Sequence, residues 1–227
     1  MELPVTASST APVAPPQPEA SEDGMTLLEL VVAMGIFMIF IALILTTTVT
    51  LAQSATRAQM TAEASNSTLV VFGNFDRQAR YADSVNYPGS GPSGARYVEF
   101  RTAGIAAAGT ATCTQWRFVP SLSRLESRSW KDVSGVVLPG FTTKLTNVID
   151  DGGATYPFTL TPANLTGAEM QQLTVTVHSG NAGLQAEAAM STTFTARNSS
   201  PDSPSNKDAD GNKVSDTPIC NATGYRP

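Results

Sequence analysis

The sequence predicts an α+β protein, in which one long N-terminal helix precedes a domain of antiparallel β-strands. The run from Met25 to Leu45 is mostly apolar, and its one ionisable side chain is Glu29. The chain has no proline between Pro18 and Pro88, so a helix that starts in the apolar run can continue well beyond it. Beyond Pro88, short segments alternate apolar and polar side chains between turn-forming residues, as half-buried strands do. A helix followed by a run of strands is typical of the α+β class.

The first segment, residues 1–24, is rich in Pro, Ala, Ser and Glu and is expected to be disordered, because it cannot bury a core. It contains Glu2, Glu19, Glu22 and Asp23 but no Lys or Arg. These acids account for most of the formal charge of −5, and the rest of the chain has 14 basic against 15 acidic side chains. A nearly neutral chain predicts no general electrostatic attraction to nucleic acid.

The apolar run that begins at Met25 is long enough to cross a bilayer, which takes about 20 apolar residues in a helix. We expect residues 25–51 to form a transmembrane half and residues 52–83 an amphipathic half of the same helix, because apolar side chains recur there at helical spacing. The alternative is two separate helices that part at Thr46–Thr50, since β-branched residues weaken a helix. An ionisable side chain such as Glu29 is energetically costly within a membrane span unless it is paired, so we expect Glu29 to have a function. The other interpretation is a signal anchor that tolerates this residue.

Residues 84–198 are expected to form a β-rich domain that starts with a loop rich in Gly, Pro and Ser. A hairpin with one wet face is predicted from Thr112–Val119 and Arg124–Trp130. Residues 199–227 are expected to form a flexible tail. The other predicted strands are Arg96–Arg101, Gly135–Leu138, Phe141–Leu145, Tyr156–Leu160, Leu173–His178 and Ala186–Ala196.

The two cysteines both lie beyond the apolar run, with Cys113 in a predicted strand and Cys220 in the predicted tail. Disulfides persist outside the cytoplasm, so a bond between them is the favoured interpretation, and two free buried thiols are the alternative. The bond would tie the tail to the sheet. Because the loop that it closes is long, the chain-entropy model assigns it on the order of 5 kcal/mol.

The stretch Gly24–Leu30, which reads Gly-Met-Thr-Leu-Leu-Glu-Leu, and the apolar run after it resemble the leader junction of type IV pilins and type II secretion pseudopilins. The resemblance implies that a prepilin peptidase cuts between Gly24 and Met25 and methylates the new N-terminus. It also implies a ladle-shaped fold, with a long helix packed by its second half on an antiparallel sheet. Glu29 would pair with the N-terminal amine of a neighbouring subunit and set the register of assembly. The leader departs from the family pattern, because it is acidic and the first basic residue of the chain is Arg57.

The segment Phe75–Ala82, the hairpin with Trp116 and Trp130 and a last strand closing at Asn198 resemble the layout of the larger minor subunits, called J-type or W-type. The resemblance implies a structural subunit rather than an enzyme, with other pilin or pseudopilin subunits and the prepilin peptidase as partners. It places the chain in the cytoplasmic (inner) membrane as a single-pass protein, with the globular domain outside the cytoplasm. Type II secretion, type IV pilus and competence systems share this helix, so the helix does not distinguish them.

A membrane-tethered module that captures DNA or an exported protein is the alternative function. Its candidate surface is a basic strip on the predicted hairpin, beside the two tryptophans, and a solvated face is the other interpretation. The strip consists of Arg117, Arg124 and Arg128. Catalysis has little support, because the sequence has a single histidine, His178, and lacks the common nucleophile, metal and phosphate motifs.

A possible metal-binding pattern lies in the predicted tail. Asn206, Asp208 and Asp210, followed by Gly211, match the start of a calcium loop of the form D-x-D-x-D-G. The last position of that pattern requires a bidentate glutamate and is Thr217 here. A solvated turn rich in Asp and Asn is the alternative, and apart from this calcium candidate no cofactor is expected.

Overall fold

The computed structural model of the chain describes residues 26–104, 109–164, 166–222 and 224–227. They divide into two compact units, with the boundary between Thr50 and Leu51. The first unit contains the apolar start of helix α1, and the second contains the later turns of α1 and the strands. Helix α1 covers Leu27–Ala79. The strands are β1 (Ala82–Val85), β2 (Gly89–Ser90), β3 (Arg96–Thr102), β4 (Thr112–Val119), β5 (Arg124–Lys131), β6 (Thr142–Leu145), β7 (Val148–Ile149), β8 (Phe158–Thr161), β9 (Gln172–Asn181) and β10 (Ala186–Thr195).

The strands form two antiparallel sheets. The first has the order β1-β3-β4-β5-β6, with β2 also paired to β3, and the second has the order β10-β9-β7, with β8 also paired to β9. Two long hairpins, β4–β5 and β9–β10, each turn through a short 3₁₀ segment that ends in a left-handed residue, Ser123 or Gln185. The predicted α+β layout is therefore confirmed, although the strands are divided between two sheets.

Helix α1 continues through the threonine-rich stretch at which the alternative prediction placed a break. The hydroxyls of Thr46, Thr47, Thr48 and Thr50 each donate to the carbonyl oxygen four residues earlier, at 2.8 to 2.9 Å. These bonds satisfy the hydroxyl donors within the helix itself. A polar run at this position is therefore compatible with one continuous helix in apolar surroundings.

The core of the second unit is built around the last turns of α1. Phe75 is fully buried and stacks on Trp116 of β4, with the ring centroids 4.0 Å apart. It also lies 5.9 Å from the ring of Phe194 on β10 and 6.1 Å from that of Phe158 on β8. One side chain of the helix thus contacts both sheets. Aromatic contacts of this kind contribute beyond the area that they bury.

Helix α1 ends at Ala79, four residues before the predicted limit at residue 83, because the chain turns directly into β1. The carbonyl oxygens of Arg80 and Tyr81 accept bonds from the backbone of Arg197 and the side chain of Asn198, each at 3.0 Å. The chain after β10 therefore satisfies acceptors that the end of a helix leaves free.

The predicted strand Gly135–Leu138 is wrong, and this segment is a loop. Gly135 has a φ of +72°, a left-handed conformation that does not continue a strand. Val136 and Leu138 pack against the cluster formed by the two cysteines, Trp130 and Ile219. Their apolar character reflects this packing rather than a place in a sheet.

The two cysteines are bonded, as the sequence analysis favoured. Cys113 on β4 and Cys220 have their Cα atoms 5.6 Å apart and form a disulfide across 107 residues. Both side chains are buried beside Trp130 and Ile219. The disulfide fixes the C-terminal segment to the start of β4 in the first sheet.

Residues 199–227 were predicted to be a flexible tail, but the described part of this segment packs on the first sheet. The Asn86 side chain accepts from the Ile219 amide at 2.9 Å and donates to the Ile219 carbonyl at 3.0 Å. The hydroxyls of Ser203 and Ser205 donate to the carbonyl oxygens of Asp83 and Val85, at 2.6 and 2.7 Å. We call residues 199–227 the strap, because its polar side chains bind the backbone of β1 and the residues after it.

We expect the double substitution Cys113→Ser and Cys220→Ser to lower the free energy of unfolding by about 2 to 5 kcal/mol, because it frees a long loop in the unfolded chain. The measurement is urea unfolding of the full chain in detergent, followed by the fluorescence of Trp116 and Trp130. Wild-type protein under reducing conditions is the matched control and should behave like the double variant. A loss below about 1 kcal/mol would show that polar contacts alone hold the strap in place.

Candidate functional site

The described part of the first unit presents an exposed apolar helical surface. Every described side chain from Thr26 to Thr50 is exposed. Helix α1 is long and apolar enough to cross a membrane, and none of its most apolar residues is buried. Such a surface is far larger than the apolar patches that soluble monomers expose. Lipid or other apolar helices are the surroundings in which it is stable. The exposed large residues include Leu27, Leu28, Val31, Met34, Ile36, Phe37, Ile39, Phe40, Leu43, Ile44 and Leu45.

The start of α1 contains Glu29 in a capping arrangement. The backbone N–H of Glu29 donates to the Oγ1 of Thr26 at 3.3 Å, which satisfies one of the free donors of the first turn. A threonine followed three residues later by a glutamate is the sequence pattern of a capping box. The exposed carboxylate also lies where the helix dipole favours a negative charge.

Glu29 therefore has a local role that the sequence analysis did not include, besides the assembly role that the resemblance implied. The capping pattern was visible in the sequence as Thr-Leu-Leu-Glu. The other two predicted residues of this region, Gly24 and Met25, lie outside the described residues. The predicted cut between them, and the predicted leader, therefore rest on the sequence.

Comparison with protein-family models, with curated proteins and with solved structures found no match for this chain.

Two of the three residues of the calcium candidate, Asp208 and Asp210, lie close together, whereas the Asn206 side chain binds elsewhere. The Asn206 side chain accepts from the Ala163 amide at 2.7 Å and donates to the Ala163 carbonyl at 2.9 Å. The Asn206 side-chain amide therefore holds the strap against the segment after β8. One carboxylate oxygen from each of Asp208, Asp210 and Asp216 lies within 4.8 Å of the others.

The three carboxylates already have partners in their own loop. Asp208 accepts from the amides of Asn212 and Lys213, both at 3.0 Å, and Asp216 accepts from the amide of Ala209 at 2.9 Å. Carboxylates are the ligands that calcium prefers. The loop bonds account for the arrangement without an ion. Burial raises the pKa of Tyr87, and the nearby carboxylates of Asp208 and Asp216 raise it further.

The predicted basic strip is not a free surface. The Arg117 guanidinium is 2.8 Å from the Glu126 carboxylate and lies 3.6 Å from the centre of the Phe141 ring. Arg128 donates to the side chain of Gln115 at 2.7 Å and to the carbonyl of Tyr225 at 2.7 Å. Burial lowers the pKa of Arg128, and the nearby charge of Arg117 lowers it further.

The tryptophans beside the strip are buried as well. Trp116 is fully buried, and its indole N–H donates to Gln78 of α1 at 2.9 Å. Trp130 is 6 % exposed and packs on the disulfide. Of the three arginines, only Arg124 is exposed. Neither tryptophan therefore offers an exposed face of the kind on which single-stranded nucleic acid stacks.

A buried polar network on the outer side of the first sheet was missed by sequence reasoning. Glu99 of β3 is fully buried, and its carboxylate accepts from Arg226 at 2.9 and 2.5 Å. Asn86 and Gln115 donate to the same carboxylate at 3.1 and 2.8 Å. Burial alone would lower the pKa of Arg226, but the charge of Glu99 and their hydrogen bonds raise it above its ordinary value.

The sequence carried one signal of this network. In Tyr97-Val98-Glu99-Phe100 the glutamate stands among apolar residues, and all four are buried, so both faces of β3 are covered. A charged residue in such a strand requires a partner. The partner, Arg226, is 127 residues away, which no local pattern reveals.

We expect Arg226→Ala to lower the free energy of unfolding by about 3 to 5 kcal/mol, because it leaves the buried Glu99 carboxylate without its cation. The double variant Arg226→Ala with Glu99→Gln should recover much of the loss, since a neutral amide needs no counter-ion. Both are measured by the urea unfolding described above. Equal losses in the single and double variants would show that the contacts of the strap, and not the buried charge, determine the effect.

Proposed function

We propose that the chain is a minor pilin or pseudopilin, a structural subunit that enters the cytoplasmic membrane through α1 and is added to a pseudopilus or pilus through the same helix. The observation that carries the proposal is the exposed apolar surface of α1 from Leu27 to Leu51. The Gly24–Leu30 junction, which precedes and begins this helix, supports the processed form.

Three further features are compatible with this function. The α+β order, with Phe75 of α1 packed on both sheets, leaves the first unit of the helix available for lipid or for neighbouring helices. The disulfide between Cys113 and Cys220 fits an oxidising compartment, which supports a globular domain outside the cytoplasm. The J-type or W-type assignment rests on the segment Phe75–Ala82, on the hairpin with Trp116 and Trp130, and on the last strand closing at Asn198.

In the proposed mechanism, processing creates a positively charged amine at Met25, beside the first turn of α1. Glu29 of one subunit and the Met25 amine of its neighbour then form an ion pair in apolar surroundings, where an unpaired charge is costly. The pair forms only at a fixed offset between helices, so it selects one register of assembly. Packing of the apolar side chains supplies the rest of the association.

The deciding measurement is the N-terminus of the protein purified from membranes of a host with a working prepilin peptidase. We expect mass spectrometry of the first tryptic peptide to show Met25 with a methylated amine. Gly24→Ala is expected to block the cut and leave Met1 or a residue near it as the first residue. A wild-type protein that retains residues 1–24 in this host would overturn the proposal.

The charge of Glu29 can be separated from its capping role by substitution. Glu29→Gln keeps a residue that suits the capping box but removes the charge, whereas Thr26→Ala removes the cap and keeps the charge. We expect Glu29→Gln to reduce incorporation into the assembled complex by about tenfold or more, equivalent to about 1.4 kcal/mol. Thr26→Ala should change it much less.

Incorporation is measured by crosslinking to other pilin-like subunits, after mass spectrometry has shown that each variant is cut. If Thr26→Ala fails to incorporate while Glu29→Gln succeeds, Glu29 serves the helix start and not the contact between subunits.

A further inference from the structure

Strand β10 has an unoccupied edge. It pairs with β9 along all ten residues and forms the end of the second sheet. The bond from the Ala196 N–H to the Gln171 carbonyl, at 3.0 Å, shows that the even-numbered residues direct their backbone groups toward β9. The odd-numbered residues therefore direct theirs away, as the bond from Arg197 to Arg80 also shows. Among the residues that the structure describes, no backbone partner reaches the outward groups of Glu187, Ala189, Ser191 and Thr193.

The usual protections of a sheet edge are missing from β10. Natural edges are blocked by charged side chains, proline, bulges or short length, or are covered by another segment. From Ala188 to Ala196 the chain has no charge and no proline, and the pairing with β9 has no register shift. In contrast, β1 of the first sheet is bonded to the strap through Ser203 and Ser205.

The helix provides an apolar surface beside this edge. Phe72 of α1 contacts Phe194 of β10 edge to face at 5.9 Å, so this side of the helix lies next to β10. Leu69 is one turn earlier on the same side and is 55 % exposed. Thr192 of β10 is on the helix side of the sheet and is also exposed. A strand added to β10 would direct alternate side chains to the helix side of the sheet, where one of them would contact Leu69.

We propose that β10 binds an extended segment of another polypeptide as an added antiparallel strand. The backbone groups of the four outward residues supply the hydrogen bonds, and the side chains that face α1 contact Leu69. Glu187 and Arg197, both exposed, lie at opposite ends of the edge. The segment that fits is uncharged in the middle, with a basic residue near its C-terminal end and an acidic residue near its N-terminal end.

A second copy of β10 carries matching charges, but antiparallel pairing excludes it within the proposed filament. Thr68 of α1 is bonded to Ser179, whose partner on β10 is Ala188, and Arg80 is bonded to Arg197 beyond the end of β10. Helix and strand thus run in the same general direction. Antiparallel pairing of two copies would direct the last turns of their helices oppositely, whereas the subunits of the proposed filament all point the same way. This choice of partner rests on the proposed function, whereas the open edge does not.

The test uses the full chain in detergent micelles and a labelled synthetic peptide, in which valine and threonine alternate between an N-terminal glutamate and a C-terminal arginine. Binding is followed by fluorescence anisotropy. The control peptide has the two charges exchanged, so its composition and tendency to aggregate are the same. We expect the control to bind about tenfold more weakly, because it places like charges opposite each other.

Ala189→Pro is the decisive variant, because it removes an outward N–H and leaves the bonds to β9 in place. We expect it to lower the affinity for the peptide by about tenfold or more, whereas Ala189→Ser keeps the N–H and should bind like the wild type. Leu69→Ser should weaken binding severalfold.

The proposal can be overturned even if the Ala189→Pro variant does not fold. Equal binding of the two peptides to the wild type, or no binding of either, would overturn it. Light scattering that shows wild-type dimers and monomeric Ala189→Pro would identify a second copy as the occupant, and would also overturn it. The N-terminal processing measurement is independent of all these results, so the proposed function and this inference fail separately.

Discussion

The stacking of Phe75 on Trp116 is the contact on which the arrangement of the second unit depends. Phe75 comes from the helix, Trp116 from the first sheet, and the rings of Phe194 and Phe158 from the second sheet lie against the same side chain. Truncation of a buried aromatic side chain at such a position costs about 3 to 5 kcal/mol, because it removes the contacts and leaves a cavity. The helix is therefore a structural part of the domain, and its position determines where both sheets lie.

This packing also determines which part of α1 is free. The buried residues of the helix are Thr68, Val71, Phe72, Phe75 and Ala79, all in its last turns. In the described part of the first unit, Thr26–Thr50, every side chain is exposed, although these side chains are more apolar. A helix that buries its moderately apolar end and exposes its most apolar end requires an external apolar environment for that end. The backbone bonds of Thr46 and its neighbours show the same adaptation, since their hydroxyls require no water.

Much of the local structure followed from patterns in the sequence. The structure places the helix, the β4–β5 hairpin and strands β9 and β10 within a few residues of the predicted limits. The loop at Gly135 was mistaken for a strand because a short apolar run has the same appearance whether it pairs in a sheet or covers a disulfide.

The ordered structure of the strap was the main feature that local sequence patterns did not predict. Its composition, rich in Ser, Asn, Asp and Pro, is also the composition of disordered segments. What orders it is a set of bonds from short polar side chains to distant backbone groups, such as Asn86 with Ile219 and Asn206 with Ala163. The same long separation hides the pairing of Glu99 with Arg226. Such contacts depend on where the strands bring the chain, so they follow from the fold rather than from neighbouring residues.

The strap and the open edge of β10 are two different solutions to one physical problem. Each edge strand of a β-sheet carries backbone groups that must be bonded to protein or to water, and an unblocked edge attracts other strands. At β1 the chain bonds its own segment and fixes it with a disulfide and a buried ion pair. At β10 it leaves four residues of backbone accessible, beside an exposed leucine of the helix. Since the chain closes the β1 edge with its own segment and leaves the β10 edge open, the open edge is best understood as a surface that another polypeptide completes.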